Sequence, residues 1–178
     1  MHTRREVIAL GGTSILSLLL APVSVHAAEP AEPLAVVVGK QAPLEALSIA
    51  ELKRLFMGES VVAPKGQRLI ALNRDPKSAE RVGFDRSVLG MSPEAAARYW
   101  IDRKIRGQSS APKAIEPAAV LQRVVAKLGG AVAYVRAREV SPDVKIVRID
   151  GKRPGDAGYP IVTGGPSTAQ AGVRVSWG

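Results

Sequence analysis

The sequence predicts an α/β domain, a small mixed sheet flanked by helices, and three observations predict it. Apolar runs of strand length, Leu34 to Val38 and Ala131 to Val135 among them, are interleaved with segments whose apolar residues recur at helical spacing. Gly or Pro punctuates the junctions, at Gly58, Pro64, Gly66, Gly90 and Gly129-Gly130. The length of 178 residues and a hydrophobic content of 46% suit about one domain with a conventional core.

Each element follows from local grammar. Residues 1–27 read as an export signal, with Arg4 and Arg5 ahead of the apolar run Val7 to Leu20, and Val25-His26-Ala27 as a small-residue cleavage pattern cut after Ala27. The pair Arg4-Arg5 in "TRREVIAL" fits a twin-arginine signal, and ordinary export signals also carry paired arginines. The apolar run is short for a membrane span. Residues 28–43 form a lead-in and a first strand: a Pro-rich "EPAEP" and then Leu34 to Val38. Gly39-Lys40 follows without the glycines before it or the hydroxyl after it that a phosphate-binding P-loop needs.

"LSIAELKRLFMG" reads as a helix, because Ser48 and Glu51 make a capping box, Leu47 and Leu52 can staple it, and Gly58 supplies the stop. Leu52, Leu55 and Phe56 share one face. Arg68 to Leu72 is a short strand. Asp75 then reads as an N-cap with Pro76 in the first turn of a helix running to about Leu89 and ending at Gly90. A further helix begins at Ser92-Pro93-Glu94 and carries Tyr99 and Trp100, which read as core or interface, and Arg98, Arg103, Lys104 and Arg106, which read as a solvated face. Pro117 to Leu128 has Leu121, Val124, Val125 and Leu128 on one stripe, "AVAYV" and "VKIVRI" are strand candidates, and residues 162–178 form a Gly/Ser-rich tail.

Composition excludes whole classes of chemistry. Both histidines, His2 and His26, fall within the expected leader, and the chain has no cysteine. A soft-ligand metal centre, a Cys nucleophile, a disulfide framework and a Ser-His-Asp triad are therefore not expected, and no catalytic residue or cofactor is assigned. The formal charge of +9 falls only to +8 on processing, since the leader takes away two arginines and one glutamate. Such an excess points to an anionic partner: a small anion, an acidic membrane surface, a cell-wall polymer or nucleic acid. Nucleic acid is disfavoured, because two Phe, three Tyr and two Trp are not interleaved with basic residues as a stacking platform requires.

The strand end followed by Asn73, Arg74, Asp75, Pro76, Lys77 and Ser78 fits an anion site. Free N–H groups and the macrodipole at a helix mouth favour negative charge, Arg74 adds a planar fork that matches two oxygens, and Lys77 adds a further cation. The same residues also read as ordinary capping, with Arg74 on the surface, Asp75 as N-cap and Ser78 early in the helix. Arg81 can pair with Asp85 at i+4.

Three ordered segments resemble the phosphate-binding-protein family of ABC transporters, the type II periplasmic solute-binding proteins. "LSIAELKRLFMGE" resembles LS-x-x-E-[LI]-x-x-[IL]-F-x-G, "LGGAVAYV" resembles PGAIGYV, and "VKIVRIDGKRPGDAGYPI" resembles V-x-x-x-x-[VI]-D-G-x-x-P with its later YP. "SVLGMSPEAAARYW" lies between them, and the resemblance covers residues 44–161. It is strongest to short, single-lobe relatives and implies a single lobe of the type II periplasmic-binding-protein fold. It also implies an exported, periplasmic, non-catalytic protein that binds phosphate or a related oxyanion in ABC-type phosphate uptake. A transporter permease, or a second lobe from a homodimer or another protein, would be the partner. In that family R-S-D-G-S-G-T-T brings a guanidinium, a Ser hydroxyl and helix-start amides to phosphate. "RDPKSAER" carries over Arg74, Ser78 and, at the Gly position, the amide of Ala79, with Lys77 nearby. Glu80 replaces a Thr, and is expected either to repel an anion or to point to solvent; Pro76 supplies no amide donor. The alternative reading is a single-lobe interaction module that engages an acidic partner through the basic helix Arg98 to Arg106, without a small ligand.

Overall fold

The structure, a computed structural model, describes residues 31–164, so the expected leader and most of the expected tail lie outside it. In chain order the elements are β1 (Leu34–Gly39), β2 (Ala46–Leu47), α1 (Ile49–Phe56), β3 (Ile70–Asn73), α2 (Ala79–Phe84), α3 (Pro93–Ile105), β4 (Lys113–Ala114), α4 (Ala118–Lys127), β5 (Ala131–Arg136), β6 (Val144–Ile146) and β7 (Arg148–Ile149). Five strands form a mixed sheet in the order β4-β3-β5-β1-β6. Within it β3 runs parallel to β4 and β5, while β1 is antiparallel to β5 and β6.

β1 and β5 are the central strands, and their unbroken apolar runs follow from burial on both faces. Leu34, Val36, Val38, Val132 and Tyr134 pack on one face with Leu52 and Phe56 of α1 and Phe84 of α2. Ala35, Val37, Ala133 and Val135 face the other way, against Leu121 and Val125 of α4. The sheet is thus sandwiched between helices, as expected. α1 carries the complete capping box: the Ser48 hydroxyl accepts from the Glu51 amide at 3.1 Å, and Glu51 Oε2 accepts from the Ser48 amide at 2.8 Å.

Two expectations about local structure are corrected. "VKIVRI" is two strands, because the chain leaves the edge of β1 at Val147, whose amide bonds to the Val36 carbonyl at 2.9 Å. It then pairs as β7 with β2 in a separate parallel ribbon. The helix after β3 starts later than its polar residues suggest: Ser78 is the N-cap, while Asp75 and Pro76 lie in a preceding turn. The Asp75 carboxylate caps that turn by accepting from the Lys77 amide at 2.8 Å, which satisfies it locally and leaves the helix mouth to Ser78. α2 passes into a π-helical segment, Asp85–Leu89, that stops at Gly90 in the left-handed region, φ 70°, as its sequence position predicts.

The Gly-rich end packs on the domain as far as it is described. Ile161 accepts from the Leu34 amide at 2.9 Å, and Thr163 exchanges bonds with Glu32 through its amide and its hydroxyl. α2 permits this contact through Gly83, where an added Cβ would lie 2.3 Å from the Val162 carbonyl oxygen.

Candidate functional site

The carboxyl ends of β3, β4 and β5 lie along one edge of the sheet, the side on which open α/β sheets hold their ligands. β3 ends at Asn73, which is 2% exposed. Its side-chain oxygen accepts from the Tyr134 hydroxyl of β5 and from the Arg74 amide at 3.1 Å, and its carbonyl accepts from the Ile115 amide at 2.9 Å. Tyr134 is fixed in turn by Phe84, stacked on its ring at a centroid distance of 3.9 Å. Burial pushes the Tyr134 pKa well above its ordinary value, so the hydroxyl remains a donor. The backbone entering the loop is therefore anchored from both neighbouring chain segments.

That anchoring aims Arg74 inward. Its side chain is only 9% exposed, and its Nη2 lies 3.0 Å from Glu116 Oε2. The other carboxylate oxygen of Glu116 accepts from the Asp75 amide at 2.9 Å. The parallel pairing of Asn73 with Ala114 explains the meeting, because two residues beyond each strand end it brings Asp75 opposite Glu116. Arg74 Nε and Nη1 are buried and have no hydrogen-bond partner. A buried guanidinium with unused donors carries a desolvation cost that only a partner offsets.

The turn after Arg74 brings the other expected residues to the same loop. Ser78 closes it, with its amide 3.0 Å from the Asp75 carbonyl. The Ser78 hydroxyl donates to that carbonyl at 2.9 Å and accepts from the Arg81 amide at 3.2 Å, so its single proton is already engaged. The Ala79 amide, at the first position of α2, has no partner among the described residues. Lys77 is exposed and has no ion-pair partner among them.

Glu80 corrects the expectation that it points to solvent. It is buried, and Arg136 at the end of β5 donates to it from Nε at 2.5 Å. Arg136 also pairs with Glu32 at 3.0 Å, and Glu32 with Arg138. Burial works to raise the Glu80 pKa, but the Arg136 hydrogen bond, its own backbone amide and the charges of Arg136 and Arg74 outweigh burial and hold it below its ordinary value. One turn on, Arg81 and Asp85 form a buried pair at 2.8 Å, the i+4 pairing available in the sequence. Burial there raises the Asp85 pKa against the opposing pull of Arg81.

Tyr134, Glu116 and Arg136 were not singled out from the sequence. Strand register would have found them: Arg136 ends β5, Glu116 lies two residues beyond β4, and the parallel pairing of β3 with β5 sets Tyr134 beside the end of β3.

The basic helix is less available than its composition suggests. Arg103 donates to the Tyr99 hydroxyl and to Ser109, each at 2.9 Å, and Arg106 pairs with Asp102 at 3.0 Å. Tyr99 donates to the Met57 carbonyl at 3.0 Å, and Trp100 is buried against Gly58, which agrees with core roles for both aromatics. Among the described residues, no group of three or more His, Cys, Asp or Glu side chains could hold a metal ion.

No protein-family model and no curated protein matches the sequence. Solved structures do resemble the fold. An ABC-type phosphate transport receptor from Vibrio cholerae matches with a TM-score of 0.56 at 17% identity over 70% of this chain and 48% of its own. A putative phosphate ABC transporter substrate-binding protein from Clostridium perfringens, solved with bound phosphate, matches with 0.55 at 17% over 70% and 47%. PstS from Borrelia burgdorferi matches with 0.58 at 11% over 75% and 55%. The fold is that of these receptors, and the chain spans about half the length of each.

Proposed function

We propose that the chain is an exported, periplasmic solute-binding protein whose single lobe holds phosphate or a related oxyanion around Arg74 in ABC-type phosphate uptake, without catalysing a reaction. The observation that carries this reading is the buried Arg74 guanidinium with two unused donors at the carboxyl edge of the sheet. A tetrahedral oxyanion meets a guanidinium through two parallel bonds, which pair Nη2 with either Nε or Nη1, so each face of Arg74 offers one unused donor beside the nitrogen that faces Glu116. The free Ala79 amide adds a donor, Lys77 adds long-range attraction, and Ser78 joins by turning its proton away from the Asp75 carbonyl. The phosphate held by the Clostridium perfringens structure lends chemical support to the choice of ligand.

One lobe leaves a bound anion wet, where each charged contact is worth a fraction of its value in a closed cleft. A second lobe, from a homodimer or from a partner such as a transporter permease, completes the site in this reading. The interaction-module alternative rests mainly on the exposed Arg98, Lys104 and Arg106, because Arg103 is bonded to Tyr99 and Ser109.

Isothermal calorimetry with phosphate at low salt, run beside Arg74→Ala and with oligomeric state followed by light scattering, tests the reading. Binding heat in the wild type, lost in the folded variant, is expected. A folded wild type that gives no heat at millimolar phosphate overturns it.

A further inference from the structure

The carboxylate of Glu116 already makes two of the contacts that a bound oxyanion would make. One oxygen is ion-paired with Arg74 Nη2 at 3.0 Å, and the other accepts from the Asp75 amide at 2.9 Å. A guanidinium N–H and a backbone N–H converging on two oxygens of one anion is the donor arrangement of an oxyanion pocket. We propose that Glu116 is a built-in competing ligand, which occupies part of the Arg74 site in cis and sets the threshold an external anion must exceed. This inference rests on the anion-site reading above.

The two halves of the pair differ in burial. The Arg74 side chain is 9% exposed and that of Glu116 is 37% exposed, so the carboxylate is the half that solvent reaches. Glu116 lies in the short link between β4 and α4, and the backbone there is tied down independently of its side chain. Ile115 donates to the Asn73 carbonyl at 2.9 Å, and α4 begins at Ala118. The carboxylate can therefore rotate off Arg74 without the link moving.

A tethered carboxylate acts at an effective concentration on the order of millimolar. An external anion must outcompete it for Arg74 Nη2, and does so by adding a parallel bond that Glu116 leaves unmade, to Nε or Nη1. Weak single-contact anions fail against such a competitor, whereas an oxyanion that engages the whole fork succeeds. Glu116 is thus an affinity- and specificity-setting residue for the site.

The test is calorimetric titration of the protein with inorganic phosphate, comparing wild type, Glu116→Gln and the double variant Arg74→Ala/Glu116→Gln. Gln keeps the shape and the acceptor for the Asp75 amide but removes the charge. Glu116→Gln is expected to bind phosphate about tenfold more tightly than wild type, the worth of one charge-assisted contact, and the double variant not to bind. Arg74-dependent binding in wild type that is equal or weaker in Glu116→Gln overturns this inference and leaves the proposed function standing. A folded wild type that fails to bind overturns the proposed function, and a folded Glu116→Gln that fails as well overturns this inference with it. If Glu116→Gln does not fold, Glu116→Asp, whose shorter side chain withdraws the carboxylate, is expected to tighten binding by a smaller factor, and unchanged affinity there overturns the inference.

Discussion

Asn73 and Tyr134 form the joint between the core and the candidate site, and a double-mutant cycle measures it. Tyr134→Phe keeps the ring stacked on Phe84 and beside Phe56 but removes the hydroxyl given to Asn73. Asn73 still accepts from the Arg74 amide, so the loss is one net hydrogen bond, about 1 kcal/mol. Asn73→Ala is worse, because it strands two buried donors, the Tyr134 hydroxyl and the Arg74 amide, at about 1–3 kcal/mol each. The double variant has no tyrosine hydroxyl left to strand. It should therefore be more stable than the sum of the single effects predicts, by about 1–2 kcal/mol. Urea unfolding of the four proteins gives these differences from midpoints at a common slope. Additive effects, or an Asn73→Ala no more damaging than Tyr134→Phe, would refute the idea that Asn73 is the shared acceptor that fixes Arg74.

Two further outcomes follow from packing and charge. Gly83→Ala drives a Cβ into backbone atoms of Val162 and Thr163, which cannot yield as a flexible side chain would. It should cost about 1–3 kcal/mol and speed hydrogen exchange at the Thr163 amide, and unchanged protection there would contradict the contact. Glu80 has its folded pKa depressed, so its stabilising share is complete above the unfolded value of about 4.3 and is lost as pH falls through the folded one. Glu80→Gln should flatten the acid limb of a stability-versus-pH curve without abolishing it, because Glu51 is also held below its ordinary value by the Ser48 amide. An unaltered acid limb would show that Glu80 does not titrate as placed.

The parts of the site that were legible in the sequence are those set by neighbours in the chain. Arg74, Lys77, Ser78 and Ala79 gather in one loop because a strand ends and a helix begins within a few residues, and the polar punctuation there marks both events. The Asp75 assignment failed for a local reason as well: Asp serves equally in an Asx turn and as an N-cap, and Pro76 suits the second position of a turn as well as a first helical turn. Glu80 was misjudged because its partner, Arg136, is far away in sequence and reaches it only once β5 lies beside β3.

By itself, then, the sequence determined the α/β class, the capping box of α1, the stop at Gly90, the two buried central strands and the polar loop that carries Arg74, Lys77, Ser78 and Ala79. These depend on periodicity, dihedral preference and short-range hydrogen bonding, which are properties of adjacent residues. Only the tertiary structure decided that Arg74 is buried with two nitrogens unpaired, that Glu116 lies against it, and that Asn73 and Tyr134 lock the loop. Those facts depend on strand order and register, which join residues from distant parts of the chain and which the energetics of the whole sheet select.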